Sequence, residues 1–378
     1  MSIREVRNDR DRFLAAAADI VLRPLAFLLG AIRGGEKPPV TAPQDVKNVL
    51  VMRVDNIGDV VMATALIHEL KKVFRNARVD ALVRPEAAAL LKNDPSIGNV
   101  IAFDGYRCLP KVRANGYDVA IEPRGDIRYI FFLFLAGIKR RVGFDRAGGA
   151  YMLTDVVQFD LSMSVTERNM AIVKYLDKDA RPDGYTGLFE TDKGKSEAEE
   201  LFREVPAGKK VIGIFPGSKF ASKEWPAEKF GALAAKISDD GFAAVICGSV
   251  SDAGKCEKAC GASGWKAVNC AGRLSLEGLV SLIKRCECVV ANDSAPAHIA
   301  EALGVPAAVI YGPMDPGIVK PRLKPGAKHI AVFKRLPCSF CNSIKVLPAK
   351  CRGKASPECL EEIGIDDVYS SLRGLMTK

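Results

Sequence analysis

The sequence predicts an α/β protein made of two doubly wound, parallel-sheet domains in tandem. Two observations carry this. From residue 46 onward, short apolar runs alternate with stretches of helical spacing, and the alternation breaks once, over a polar segment rich in Pro, Gly and Lys, before restarting. A chain of 378 residues is long enough for two domains that each bury a core.

The first 40 residues stand apart. Phe13 to Ile32 is apolar but interrupted by Asp19, Arg23 and Pro24, which argues against both a signal peptide and a spanning helix. Two readings remain: a helix packed on the protein, or a basic amphipathic helix in a membrane interface. Arg4, Arg7, Arg10, Arg12, Arg23 and Arg33, flanking Leu and Phe, favour the interface. Lys37-Pro38-Pro39 and Ala42-Pro43 then read as a linker, so residues 1–45 form one segment.

In the first domain, residues 46–180, the strands are VKNVLVMRV, ARVDALV, GNVIAF, YDVAIEP, RVGF and one near Asp155–Phe159. VVMATALIHELKKVF has helical spacing, and FFLFLAGI is too short to span a membrane and reads as a buried helix. Residues 181–208 are the inter-domain connection, with one helix near Ser196–Glu204. The second domain, residues 209–336, repeats the pattern through KKVIGIFPGS, FAAVICGS, KAVNCAG, CECVVANDS, PAAVIYGP and HIAVF. Residues 337–378 form a cysteine-containing tail and a last helix, IDDVYSSLRGLM. Right-handed crossovers make both sheets parallel, and the two domains form a cleft between the C-terminal edges of their strands, where a ligand binds.

The composition, 48% hydrophobic and 26% charged, excludes global disorder. A net charge of +10 points to an anionic partner. Nucleic acid is the weaker choice, because the basic residues are dispersed and no zinc-finger, RNA-recognition or basic-zipper pattern occurs. Of eleven cysteines, Cys247, Cys270, Cys286 and Cys288 lie in or beside strand-like runs as small core residues, indicating a reducing, cytoplasmic compartment.

Four stretches carry chemistry. RVDNIGDVVMAT, residues 53–64, places Gly58-Asp59 where the first strand meets the first helix. One glycine and two carboxylates would repel a phosphate there. Asp59 is either a helix cap or a base facing the cleft, and Asp55 reads as a surface turn residue. In PGSKFASKEWPAEKF, Gly217 and Ser218 offer small side chains and N–H groups, while Lys219 and Lys223 add positive charge. This suits a phosphate without the spacing of a P-loop. Gly248-Ser249 ends another strand, with Asp252 either an N-cap or a ribose contact. In ANDSAPAHIAEALGVP, Asn292-Asp293-Ser294-Ala295 opens a helix whose N-terminal donors suit a phosphate oxygen, and Asp293 suits sugar hydroxyls. His298, one turn further, reads first as a packing residue.

With these stretches in hand, the chain resembles glycosyltransferase family 9, the ADP-heptose:lipopolysaccharide heptosyltransferases. The matching pieces are RVDNIGDVVMATAL, EPRGDIRYI, RRVGFDRAGG, FPGSKFASKEWPAEKFGALA and the run from AGRLSLEGL to AVIYGPMDP, within residues 46 to about 370. The resemblance implies a GT-B fold of two Rossmann-like domains, with acceptor on the first, nucleotide sugar on the second and a C-terminal helix, within residues 337–378, that returns to the first domain. It implies inverting, metal-independent transfer from an ADP-sugar to a lipid-linked, anionic core oligosaccharide, with no cofactor required. In those terms Asp59 is the base and Lys223 contacts the donor phosphates. Asp293 holds the donor sugar, Ser294 and Ala295 meet the pyrophosphate, Gly217, Ser218 and Lys219 belong to the phosphate loop, and Leu274 packs on adenine. Gly248 and His298 complete the donor set.

Two departures stand out. Ala65 replaces a common proline, and Val250 stands where relatives carry an acidic ribose contact, leaving Asp252 as a substitute. Arg124, Arg128, Arg140 and Arg141 are candidate acceptor contacts. Cys338, Cys341, Cys351 and Cys359 have a spacing that can make a tetrahedral structural zinc site or remain free or packed thiols. A lipid-linked acceptor would explain the basic charge and a peripheral contact with the inner face of the cytoplasmic membrane. The competing readings are a nucleotide-sugar epimerase of the same fold and a non-catalytic nucleotide-sugar-binding protein.

Overall fold

A computed structural model of the chain describes residues 24, 42–146, 148–319, 322–341, 351 and 357–376. The expected N-terminal helix lies outside the described residues. The chain divides into two compact units, Met1–Gly184 and Tyr185–Lys378.

The first unit is built on six strands: β1 (Asn48–Arg53), β2 (Arg78–Val83), β3 (Val100–Ala102), β4 (Val119–Glu122), β5 (Arg140–Phe144) and β6 (Asp155–Val157). They are parallel, in the order β3-β2-β1-β4-β5-β6. The VLVM run of β1 is buried throughout, as a strand with both faces covered must be. Its Val51 lies opposite Ala81 on one side and Ile121 on the other. Three helices matter here: α1 (Ile57–Val73), α2 (Ile127–Leu135) and α3 (Val165–Leu176). Helix α2 carries the FFLFL run, with Ile130, Phe132 and Leu133 fully buried. A capping box starts α3: Ser164 Oγ accepts from the Glu167 amide at 3.2 Å, and Glu167 accepts from the Ser164 amide at 2.7 Å.

The second unit repeats the design with β7 (Val211–Phe215), β8 (Ala243–Ile246), β9 (Val268–Asn269), β10 (Cys288–Asn292), β11 (Ala307–Ile310) and β12 (His329–Val332). The parallel order is β12-β11-β10-β7-β8-β9. In both sheets the chain winds outward one way from the first strand and then the other way. The topological switch points, where ligands bind in such sheets, therefore fall between β1 and β4 and between β7 and β10.

The helices of this unit are α4 (Asp192–Phe202), α5 (Ala227–Asp239), α6 (Ala253–Ala262), α7 (Leu276–Arg285), α8 (Ala295–Leu303) and α9 (Ile365–Arg373). Helix α4 begins four residues before the expected start, because Thr191 caps it through a 3.1 Å bond from the Gly194 amide. It packs on α7, so closely that a Cβ on Gly194 would stand 2.4 Å from the Glu277 carbonyl oxygen. The stretch 192–202 is thus part of the second unit's body. The last helix, α9, lies on β11, β12 and α5, where Val368 and Leu372 complete the second unit's core. Among the described residues, no helix is long and apolar enough to cross a membrane.

Candidate active site

Asp59 is the third residue of α1 and not its cap; Asn56 holds the cap position. Its carboxylate accepts from the Arg53 guanidinium at 3.2 Å and from Asn56 Nδ2 at 3.2 Å. Arg53 is anchored at the end of β1 with only 9% of its side chain exposed, whereas 26% of Asp59 remains open to solvent. The helix start and Arg53 both place positive charge beside this carboxylate.

Asp55, expected as a surface turn residue, is instead mostly buried and paired with Arg53 at 3.6 Å and Arg124 at 3.3 Å. Burial raises its pKa, the nearby Asp59 adds to this, and Arg53 and Arg124 oppose it. Glu122, at the end of β4, is fully buried and accepts from the Gly125 and Asp126 amides at 2.5 and 3.1 Å. Burial, then Asp126, pushes its carboxyl up to about 7. Its Oε1 and Arg53 Nε are buried without a hydrogen-bond partner among the described residues.

Four arginines named from the sequence divide. Arg124 joins the corner through Asp55, and the exposed Arg128 pairs with Asp126 at 2.6 Å. Arg140 and Arg141 sit at the opposite edge of the sheet, at the start of β5. There Arg140 pairs with Asp155 at 3.1 Å and Arg141 donates to the Met152 carbonyl at 2.6 Å. Both therefore have partners within their own unit, at the end of the strand opposite to the one that carries Asp59. Arg146 and Arg168, which motif reading missed, lie over the ring of Phe159, each 4.9 Å from its centroid. Burial, then Arg124 and Arg53, pulls Arg146 below its ordinary range. Burial, then Arg146 and Arg53, brings Arg168 down to about 10. Burial beside neighbouring guanidinium groups thus disfavours the charged forms of Arg146 and Arg168, a cost that an anionic ligand would relieve, whereas Asp55 and Asp126 raise Arg124.

In the second unit, Asn292 ties two loops together. Its side chain donates to the Pro216 carbonyl at 2.8 Å and accepts from the Trp225 amide at 3.0 Å. This brings the loops after β7 and β10 to one place. Lys223 Nζ then meets Asp293 Oδ2 at 2.5 Å, with 13% and 4% of their side chains exposed. Ser294 is the N-cap of α8, yet its Oγ makes no cap bond and is buried without a hydrogen-bond partner among the described residues. Ala295 is the first residue of that helix. His298 is buried one turn on, with Nε2 3.9 Å from Asp293 Oδ1 and Nδ1 3.2 Å from Glu301 Oε2. The packing reading holds for its burial, but its neighbours are carboxylates.

A Cβ at Gly217 would stand 2.5 Å from the Asp252 carboxyl carbon, so any other residue there must displace that carboxylate. Gly248 also crowds Asp252, at 2.8 Å. Asp252 accepts from the Ser249 amide at 3.0 Å, closing a capping box, and from Lys255 at 3.4 Å. Ser218 donates its amide to Glu224 at 3.0 Å, Lys219 is exposed, and Leu274 is half-buried. None of the eleven cysteines is in a disulfide. Cys351 and Cys359 are buried, Cys338 is half-buried and Cys341 exposed. Among the described residues, no three His, Cys, Asp or Glu side chains are grouped to hold a metal ion, so the structural-zinc reading of the tail has no support.

A family model described as glycosyltransferase family 9 (heptosyltransferase) matches residues 106–345. The chain is 29% identical over 302 residues to lipooligosaccharide heptosyltransferase 2 of Haemophilus influenzae, covering 72% of this chain and 86% of that protein. It is similar in structure to Escherichia coli ADP-heptose lps heptosyltransferase II, with a TM-score of 0.72 at 23% identity, over 87% of this chain and 98% of that one. E. coli heptosyltransferase WaaC, solved with ADP-2-deoxy-2-fluoro heptose, superposes with a TM-score of 0.63 at 16% identity, over 87% of this chain and 100% of that one. The two Rossmann-ordered sheets are those of a GT-B fold. The chain belongs to glycosyltransferase family 9, the heptosyltransferases.

Proposed function

We propose that this protein transfers a heptose from an ADP-sugar to the anionic core oligosaccharide of a lipid-linked lipopolysaccharide acceptor, with inversion and without a metal ion. One observation carries the reading. Lys223, Asp293 and the buried, unpartnered Ser294 Oγ stand together at the start of α8. That combination offers a cation and helix donors to a diphosphate, and a carboxylate to sugar hydroxyls. The relative solved with an ADP-heptose analogue supports the same donor.

Asp59 takes the proton of the acceptor hydroxyl as its oxygen attacks the anomeric carbon. The bond from that carbon to the diphosphate oxygen breaks, and its electron pair leaves with ADP. A single displacement inverts the anomeric centre. Lys223, Ser294 and the amides of Ala295 and its neighbours are assigned the leaving charge, the role a metal ion fills elsewhere. Arg124, Arg146 and Arg168 are assigned the anionic groups of the acceptor. Such an acceptor places the enzyme peripherally at the inner face of the cytoplasmic membrane.

The test is a thermal-unfolding panel of ADP-, UDP- and GDP-sugars, followed by transfer assays with EDTA present. ADP-heptose should raise the melting temperature most, and transfer should persist in EDTA. Stabilisation by a UDP-sugar alone would overturn the donor assignment, and loss of transfer in EDTA would overturn metal independence.

A further inference from the structure

The turn after β4, residues 123–126, has its backbone fixed by side chains from three neighbouring strand ends. Glu122 accepts from the Gly125 and Asp126 amides at 2.5 and 3.1 Å. Arg53, at the end of β1, donates to the Pro123 carbonyl at 3.5 Å, and Arg146, just past β5, donates to the Arg124 carbonyl at 3.4 Å. Gly125 has a φ of 69°, and a Cβ there would stand 2.7 Å from the Arg146 Cβ and 2.9 Å from the Phe144 carbonyl oxygen. The turn thus lies against β5 with no room for a side chain at its third residue.

What the backbone leaves open is the course of the Arg124 side chain. A free arginine samples many rotamers, and ordering one on binding costs affinity. Here the guanidinium is already placed. Its Nη1 lies 3.3 Å from Asp55 Oδ2, and its Nε lies 3.7 Å from Asp126 Oδ2. The two carboxylates are not equivalent. Asp126 caps α2 by accepting the Arg128 amide at 3.1 Å, and it holds the Arg128 guanidinium at 2.9 and 2.6 Å. Asp55 comes from the other side of the switch point, and is itself fixed by the Asn56 amide at 3.0 Å and by Arg53 at 3.6 Å. Burial disfavours the Arg124 cation, but Asp55, followed by Asp126 and Glu122, outweighs it and raises Arg124 above its ordinary value.

Strands β1 and β4 are neighbours, with Val51 opposite Ile121, so the Asp55–Arg124 pair joins the two loops at the switch point of this sheet. Asp59 meets the same Arg53 and keeps 26% of its side chain exposed, whereas Asp55 keeps 14%. Asp55 is the anchored carboxylate of the two. Arg124, one-third exposed, has five N–H donors, and its contacts with Asp55 and Asp126 do not exhaust them.

We propose that Asp55 is a positioning residue for the acceptor, holding the Arg124 guanidinium in place for an anionic group of the incoming core oligosaccharide. This rests on the reading of Arg124 as an acceptor contact. Asp55 touches no substrate; it acts through Arg124, and its effect is to order that side chain before the acceptor arrives.

The test is calorimetry of a heptose-deficient lipooligosaccharide core, without donor, on the full-length protein. The variants are Asp55→Asn, Asp55→Ser, Arg124→Ala and the double variant Asp55→Asn/Arg124→Ala, with two replacements of Asp55 so that a folding defect in one leaves the other to be read. Each single change should weaken core binding about tenfold. The double variant should bind no worse than Arg124→Ala, because Asp55 then has nothing left to position. In transfer assays with ADP-heptose the loss in Asp55→Asn should appear in KM for the core, with kcat changed less than about threefold. Unchanged core binding in a folded Asp55 variant, losses that multiply in the double variant, or a fall in kcat at unchanged KM would overturn the proposal. Absence of transfer from every nucleotide sugar would instead refute the function reading, and the binding cycle would still decide the role of Asp55.

Discussion

A carboxylate in the first turn of a helix is ordinarily placed there for the helix dipole. Asp59 meets that description and is also held by Arg53 and Asn56 while keeping a quarter of its side chain open to solvent. Replacing it by Asn keeps the shape and removes the base. We expect Asp59→Asn to lower kcat by about 10²–10⁴-fold with ADP affinity unchanged, checked by steady-state kinetics alongside calorimetry. Glu122 gives a prediction of the opposite kind, about stability. Its folded-state pKa, near 7, lies above the ordinary carboxylate value. The folded protein thus favours the protonated form, and the associated stability is full at low pH and lost as pH rises through 7. Glu122→Gln stays neutral throughout. Its stability relative to the wild type should therefore grow between pH 5 and pH 8, by up to about 3 kcal/mol, read by urea unfolding at both pH values. An equal difference at the two pH values would contradict the assignment.

At the scale of elements, the loop after β7 shows how local sterics serve the site. Gly217 leaves room for the Asp252 carboxylate that caps the turn at Ser249. Gly217→Ala should push that carboxylate away and weaken ADP binding by about tenfold, seen by calorimetry, while the melting temperature changes little. All twelve strands were legible in the sequence: the inner ones, covered on both faces, are continuous apolar runs, and the short, partly exposed β6 and β9 fall in the same alternation of run and turn. Helix ends were less legible. The start of α4 depends on Thr191, a residue type that serves in turns as well as at helix caps and so does not by itself mark a helix start. The surroundings of the arginines were not legible in the sequence. Arg140-Arg141 looks like a basic patch in the sequence but opens a strand at the edge away from Asp59. Arg146 and Arg168 are 22 residues apart and meet only because Phe159 lies between the β5 and α3 segments that carry them. Asp55 was misread for a related reason: its partner Arg124 comes from the next strand over, not from its own loop.

At the scale of the whole molecule, each unit contributes a different chemistry at its switch point. The first presents the Asp59 carboxylate, proposed as the base, and a cluster of guanidinium groups; the second presents Lys223, a helix start and Asp293, proposed to hold the sugar. Nucleotide-sugar transfer needs both sets, one to deprotonate the acceptor and one to take up the leaving charge. The most direct test is mass analysis of a heptose-deficient lipooligosaccharide core incubated with ADP-heptose and the protein. Wild type should add a single heptose residue to the core and release ADP, whereas Asp59→Asn should bind ADP-heptose and leave the core unmodified. Unchanged core with the wild type, or equal heptose addition by Asp59→Asn, would contradict the account.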